Sequence, residues 1–182
     1  MKFLPDTHTF LWAIAASDKI PVATQSKITN PDNEIFISAV SLWEVAIKTR
    51  IKKLNLGCIK TDDLIPIAGK MGMECISLSP EESIGYGKLE ENSHSDPFDR
   101  MLIWQAMQRN LTIISKDKAF NRFKEHGLKL FWQWHCLLVC GNGLIVPSHC
   151  FISILISCYI MRLKEIMKLS RGHIGNFCSF SR

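Results

Sequence analysis

Short apolar runs alternate with helical segments along the first 132 residues. Strands are predicted at Lys2–Pro5, Glu34–Ser38, Glu74–Leu78, Leu111–Ser115 and Leu128–Trp132. Helix-start signals lie between them, such as Ser79 followed by Pro80 and Asp96 followed by Pro97. Strands that alternate with helices predict an α/β domain with a mostly parallel sheet. Functional sites in such sheets form at the carboxyl ends of the strands, so acids at those positions are candidate site residues.

Four acids stand at strand ends or in first helical turns. Asp6 follows the first strand and Asp117 follows the fourth, while Glu44 and Asp99 lie near the starts of two helices. Each acid has a structural explanation when it is considered alone. Asp6 and Asp117 are suited to cap the helices that follow them, and Glu44 fits a capping box with Ser41. On position alone, the capping box is the favoured interpretation of Glu44.

Considered together, the four acids indicate a metal ion. When a parallel sheet brings such acids to one edge, their charges repel and each pKa rises unless a cation is present. Oxygen ligands without nearby Cys or His suit Mg²⁺ or Mn²⁺. Mg²⁺ keeps several waters and can activate one of them against a phosphodiester. Asp6, Glu44, Asp99 and Asp117 are therefore candidate metal ligands, whereas Asp96, which precedes Pro97, is interpreted as a helix cap.

Positive charge and cysteine are concentrated in the last 50 residues, Gln133–Arg182. That segment has five Lys or Arg and one acid, so it carries four of the five net positive charges and residues 1–132 carry about one. The charge is therefore no argument that the first part binds nucleic acid. Five of the seven cysteines also lie in the segment. Their odd number and the lack of an apolar secretory signal at the N-terminus predict a cytoplasmic protein with free thiols.

Three motifs, in order, resemble a PIN domain. They are Leu4–Trp12 (LPDTHTFLW), Ser38–Lys48 (SAVSLWEVAIK) and Asp96–Ile103 (DPFDRMLI). The resemblance covers residues 1–132, and the closest group is the VapC-like ribonuclease toxins of type II toxin–antitoxin systems. It implies a three-layer α/β/α domain with a five-stranded, mostly parallel sheet of strand order 3-2-1-4-5. It also implies a Mg²⁺- or Mn²⁺-dependent endoribonuclease with an RNA substrate, a cognate antitoxin as partner and a homodimer.

The resemblance assigns roles to the acids. The family's three main acids match Asp6, Glu44 and Asp99, and its more variable fourth acid falls at Asp117. This assignment replaces the capping box as the main role of Glu44, although the two roles can coexist. The implied reaction is hydrolysis of RNA by a metal-bound water, in which the metal neutralises charge on the phosphate. Thr7 and Ser115 are candidates for additional hydroxyl contacts.

Other residues near the acids are expected to have structural roles. Arg100 and Lys116 flank the candidate site and are expected to be solvated charges rather than phosphate ligands. Trp12 and Trp43 are expected to pack in the core rather than to stack on bases. His8, next to Asp6, is expected to pack against a helix or lie at the surface rather than to bind metal.

The chain departs from the family pattern in two places. Pro5 stands where the family usually has an aliphatic residue, and Gln133–Arg182 continues beyond the fifth strand. These departures motivate an alternative function, a catalytically impaired PIN-domain protein that still binds an antitoxin. Three explanations of the tail stay open. They are read-through or frame-shifted sequence, a membrane or partner-binding segment at Leu144–Met161, and a metal site of His135, Cys136, Cys140, His149 and Cys150.

Overall fold

The computed structural model describes residues 1–90 and 95–133. Its five strands are β1 (Lys2–Pro5), β2 (Glu34–Ser38), β3 (Met73–Ile76), β4 (Thr112–Ile114) and β5 (Lys129–Phe131). Every strand lies where the apolar runs predict it, with ends displaced by one or two residues at β3, β4 and β5. The three explanations of the tail concern residues outside the described part, so they stay predictions.

Helices follow the strands in the alternation that the sequence predicts. They are α1 (Thr7–Ala15), α2 (Val22–Thr29), α3 (Ala39–Arg50), α4 (Leu64–Lys70), α5 (Pro80–Gly85) and α6 (Pro97–Gln108). Short 3-10 helices lie at Ser17–Lys19, Thr61–Asp63, Tyr86–Lys88 and Lys118–Lys124. In the described residues, no helix has the length and apolar character needed to cross a membrane.

The sheet has the order β3-β2-β1-β4-β5, and all four neighbouring pairs are parallel. This order confirms the prediction of a five-stranded sheet in the order 3-2-1-4-5. Because the strands are parallel, their carboxyl ends share one edge. The first residues after β1, β2 and β4 therefore begin from the same edge of the sheet.

Alternate residues of the central strands face opposite sides of the sheet, as strand geometry requires. Phe3, Ile35 and Ile37 belong to one buried cluster with side chains from α1, α2 and α4. Leu4 and Phe36 belong to a second cluster with side chains from α6 and the 3-10 helix Lys118–Lys124. The sheet is therefore covered on both faces, which gives the expected three layers.

Pro5 ends β1 without displacing the residue that follows it. The ladder between β1 and β4 runs to the pair Pro5–Ile114, and the next N–H, that of Asp6, donates to the Ile114 carbonyl oxygen at 3.0 Å. The pairs between β1 and β2 are Lys2 with Glu34 and Phe3 with Ile35. Proline is tolerated at the end of a strand because it removes only its own donor.

A polar network joins α5, α6 and the end of β2. The Gln105 side chain, which is fully buried, accepts from the Ser38 hydroxyl at 2.6 Å and donates to Glu82 at 3.1 Å. Arg109 donates to both carboxylate oxygens of Glu82, at 2.5 and 2.9 Å. The Ser38 hydroxyl in turn accepts from the Val40 N–H at 3.0 Å and caps α3. The network therefore links the start of α3 to the middle of α6.

Candidate acidic site

Asp6 lies at the junction of β1 and α1, where it is buried. Its side chain caps α1, because Oδ1 accepts a hydrogen bond from the Thr9 N–H at 2.6 Å. Burial raises the pKa of Asp6 above its ordinary value, although hydrogen bonds from Ser115 and Thr9 oppose the rise. The carboxylate of Asp6 therefore caps α1 and is also hydrogen-bonded to Ser115 from the end of β4.

Glu44 lies in α3 and is also buried. Its Oε2 accepts from the Thr7 hydroxyl at 2.5 Å, and its Oε1 is hydrogen-bonded to the ammonium group of Lys48, one helical turn further on. Thr7 follows Asp6 directly, so one residue of α1 connects the two buried acids. The Thr7 hydroxyl is therefore bonded to Glu44, and its additional role in the reaction stays a prediction.

The capping box of Ser41 with Glu44 is wrong. α3 begins at Ala39 and Ser38 is its cap, so Ser41 lies inside the helix. Both oxygens of Glu44 bind side chains, those of Thr7 and Lys48, rather than the backbone at the helix start. The prediction failed because the strand passes into the helix without a loop, and the first of two serines caps it.

Asp96 is the cap of α6, as predicted. Its Oδ1 accepts from the Phe98 N–H at 2.8 Å and the Asp99 N–H at 3.4 Å, and Pro97 occupies the first helical position. Asp99 follows in the first turn. The sequence therefore identified correctly which acid of this pair holds the helix start.

Lys48 connects α3 to the acids of α6. Burial alone would lower the pKa of Lys48, but the hydrogen bond to Glu44 and the charges of Glu44, Asp96 and Asp99 raise it. The three carboxylates therefore lie within electrostatic reach of one ammonium group. The sequence analysis missed this role, although the spacing of four residues from Glu44 to Lys48 was a signal for it.

Asp117 lies at the exposed end of the same edge. It caps the 3-10 helix Lys118–Lys124 through a hydrogen bond from the Ala119 N–H to Oδ1 at 2.8 Å. Its own N–H donates to the Ser115 hydroxyl oxygen at 3.0 Å, and Ser115 also hydrogen-bonds Asp6. The predicted cap is present, and Ser115 joins Asp117 to the buried Asp6.

Within the described residues, no three His, Cys, Asp or Glu side chains lie close enough together to hold a metal ion. The donor chemistry nevertheless fits a hard divalent cation, because the acids offer carboxylate oxygens. Burial raises the pKa of Asp6, and a neighbouring cation would oppose that rise. At Glu44 the positive charge is supplied by Lys48. We call Asp6, Glu44, Lys48 and Asp99 the acidic site.

Two of the expectations for nearby residues are wrong. Trp43 is 61% exposed, and its ring meets Phe98 edge-on with centroids 5.4 Å apart. Arg100 is buried rather than solvated, since its Nη2 donates to the Leu89 carbonyl oxygen at 3.0 Å and its guanidinium lies over the Tyr86 ring. Both errors concern helical residues whose side-chain direction depends on which neighbouring element packs there.

The expected placements of the other three residues are confirmed. Trp12 is half-buried and packs against the cluster around Phe3. His8 is exposed and its ring lies 6.1 Å from that of Trp12. Lys116 is exposed, with Nζ 5.9 Å from the centre of the Trp12 ring.

The model of one protein family, described as the PIN domain, matches residues 3–126. The chain belongs to the PIN domain family. PIN domains are in general nucleases, which are hydrolases, and they generally use divalent metal ions. Among curated proteins, none matches the chain.

Solved structures share the fold of this PIN domain. VapBC2 from Rickettsia felis, bound to a DNA fragment from their promoter, has a chain with 19% identity and a TM-score of 0.53, and the match covers 73% of this protein and 100% of that chain. VapBC-1 from nontypeable Haemophilus influenzae gives 18% identity and a TM-score of 0.52, with 74% and 98% covered. DNA-bound VapBC from Salmonella typhimurium gives 16% identity and a TM-score of 0.51, with 72% and 97% covered. At these identities the likeness is one of fold, that of a VapC-like PIN domain.

Proposed function

We propose that this PIN domain is a metal-dependent endoribonuclease and the toxin of a toxin–antitoxin pair. The observation that carries the proposal is the pair of buried carboxylates, Asp6 and Glu44, which Thr7 links at the carboxyl edge of the sheet. Buried carboxylates are costly unless a cation or hydrogen bonds compensate them. A structural role needs only one such acid as a cap, whereas a cation site needs several.

Each of the four acids has a role in this proposal. Asp6, Glu44 and Asp99 hold Mg²⁺ or Mn²⁺, and Asp117 is an outer acid joined to Asp6 through Ser115. The bound ion would supply a water of lowered pKa and neutralise phosphate charge. Thr7 fixes one oxygen of Glu44 at 2.5 Å, and the Thr9 N–H fixes one oxygen of Asp6 at 2.6 Å. These contacts orient the acids before any ligand arrives, which reduces the cost of binding.

The partners in the proposal follow the fold relatives. The solved structures that share the fold are VapBC assemblies, two of them with DNA. By analogy, this chain binds a cognate antitoxin. A homodimer is proposed on the resemblance to VapC-like toxins alone. The substrate, RNA, is part of the same proposal.

Metal removal tests the enzymatic part. The purified full chain should cleave an RNA transcript with Mn²⁺ or Mg²⁺ and should lose cleavage on addition of a chelator, because the metal supplies both the nucleophile and charge neutralisation. Cleavage should return when excess Mn²⁺ is added. Activity that survives exhaustive chelation would contradict metal dependence.

A second candidate function is a catalytically impaired PIN domain that still captures an antitoxin. The observation in its favour is that, in the described residues, no three Asp, Glu, Cys or His side chains are grouped closely enough to hold a metal ion. Calorimetric titration of the full chain with Mn²⁺ separates the two functions. The nuclease should bind Mn²⁺ and cleave RNA, whereas the impaired protein should do neither and still co-purify with its antitoxin.

Trp43 is expected to contact RNA. The exposed Trp43 directly precedes Glu44 in α3, and its half-buried partner Phe98 directly precedes Asp99 in α6, so the aromatic pair lies on the two helices that carry these acids. Aromatic stacking on a base contributes about 1–3 kcal/mol, so Trp43→Ala should weaken RNA binding by roughly tenfold. Fluorescence anisotropy with labelled RNA in the Asp99→Asn background measures this change without cleavage. Ile84→Ala is the matched control, because Ile84 is 86% exposed on α5, and equal affinities of the two variants would contradict the stacking role.

A further inference from the structure

Both carboxylate oxygens of Glu44 already have partners. Thr7 donates its hydroxyl to Oε2, and Lys48 donates its ammonium group to Oε1. Glu44 is 3% exposed, so it has almost no contact with solvent that could compensate its charge. A cation that binds Glu44 must therefore take the place of one of the two partners or share an oxygen with it.

Lys48 is the partner that can leave. Its side chain is 33% exposed and has four methylene groups, so the ammonium group can move toward water. The Thr7 hydroxyl is buried at the start of α1, and its short side chain is fixed by the helix. A cation that replaces a partner at Glu44 will therefore displace the ammonium group rather than the hydroxyl.

The electrostatic interactions of Lys48 extend beyond Glu44. The charges of Asp96 and Asp99 also act on Lys48, so acids of α3 and of the start of α6 lie within electrostatic reach of its ammonium group. Without a cation, three carboxylates in this region would repel one another. Lys48 compensates that repulsion from within the chain.

We propose that Lys48 is a built-in counter-cation of the acidic site, which neutralises Glu44 and its neighbours until a divalent metal ion displaces the ammonium group. The inference rests on the proposed function, because it names what the metal ion must displace. Its consequence is competition: the contact that stabilises the metal-free protein weakens metal binding. Lys48 is thus a positioning residue that acts through Glu44.

The test is calorimetric titration of the full chain with Mn²⁺ alone. Lys48→Gln should bind Mn²⁺ at least about tenfold more tightly than the unmodified chain, since the ion no longer breaks a charge-assisted hydrogen bond. Arg50→Gln, which removes the same charge from an exposed position of the same helix, is the matched control and should change the affinity by about twofold or less. Equal or weaker Mn²⁺ binding by Lys48→Gln would overturn the proposal.

A second measurement needs no activity and no metal. With a chelator present, Lys48→Gln should unfold at a lower temperature than the unmodified chain, and added Mn²⁺ should raise its midpoint by more than that of the unmodified chain. An unfolding temperature that is unchanged in chelator would count against Lys48 as counter-cation.

The outcomes also separate this inference from the proposed function. If the unmodified chain fails to bind Mn²⁺ and Lys48→Gln binds it, the counter-cation role is supported and the proposed nuclease activity fails. If both bind Mn²⁺ equally, the metal site stands and the role of Lys48 is wrong. If neither binds, both proposals are wrong.

Discussion

Asp99→Asn should reduce RNA cleavage on the order of a thousandfold, because a metal ligand contributes through an ion whose charge stabilisation amounts to several kcal/mol. Asparagine keeps the size of the side chain and its place in the first turn of α6, so the fold should be retained. Single-turnover cleavage of a labelled RNA with saturating Mn²⁺ measures the loss. Asp6→Asn should show a loss of the same order. Its fold should be retained, because asparagine can still cap α1.

Asp96→Asn is the matched control for Asp99→Asn. Asparagine caps helices about as well as aspartate, so the hydrogen bonds from the Phe98 and Asp99 N–H groups should persist. Cleavage by Asp96→Asn should therefore stay within about tenfold of the unmodified chain, the remaining loss reflecting one charge near Lys48. Undiminished cleavage by Asp99→Asn would remove Asp99 from the site. Equal, large losses in both variants would make Asp96 a site residue.

The sequence predicts the strands and helix starts well because the signals for them are local. Each strand is a short apolar run, and the caps at Asp6, Asp96 and Asp117 are visible from residue type and position. The strand order came from the resemblance to a family rather than from periodicity. The parallel alternation alone predicts the edge of the sheet from which the acids begin, but not which strands are neighbours.

The site was predicted less completely because side-chain partners depend on tertiary packing. Glu44 binds Thr7, which is 37 residues away in the chain, and no local pattern indicates that contact. Trp43 and Arg100 were assigned opposite environments from those observed, since burial on a short helix depends on which element covers it. Lys48 had a local signal, but without the distant acids of α6 it looks like an ordinary helical ion pair.

Loss of the buried Gln105 should destabilise the fold that holds the site together. Gln105→Ala should lower the free energy of unfolding by about 3 kcal/mol, because it opens a cavity and leaves the Ser38 hydroxyl and Glu82 each without one partner. Gln105→Met is the matched control: it fills most of the volume and removes only the hydrogen bonds, so its loss should be smaller. Urea unfolding measures the free energy of unfolding, which should decrease from the unmodified chain to Gln105→Met to Gln105→Ala. Equal stability of all three proteins would contradict the network's role.

The pH dependence of this loss is an independent check on the network. Burial alone would raise the pKa of Glu82, but hydrogen bonds from Arg109, the Ser79 N–H and Gln105 hold the pKa below its ordinary value of 4.5. A lowered pKa in the folded state stabilises the protein above pH 4.5, and this contribution disappears as the pH falls through the folded pKa. Gln105→Ala removes one of the contacts that lower the pKa, so the stability difference from the unmodified chain should shrink on acidification below pH 4.5. A difference that stays constant between pH 7 and the acid limit of the fold would show that only the cavity matters.

Ser38 caps the helix that carries Glu44, and Gln105 lies on the helix that carries Asp99. If the network sets the separation of these two helices, its loss should also displace the acids that they carry. Gln105→Met should therefore cleave RNA more slowly than its modest loss of stability explains.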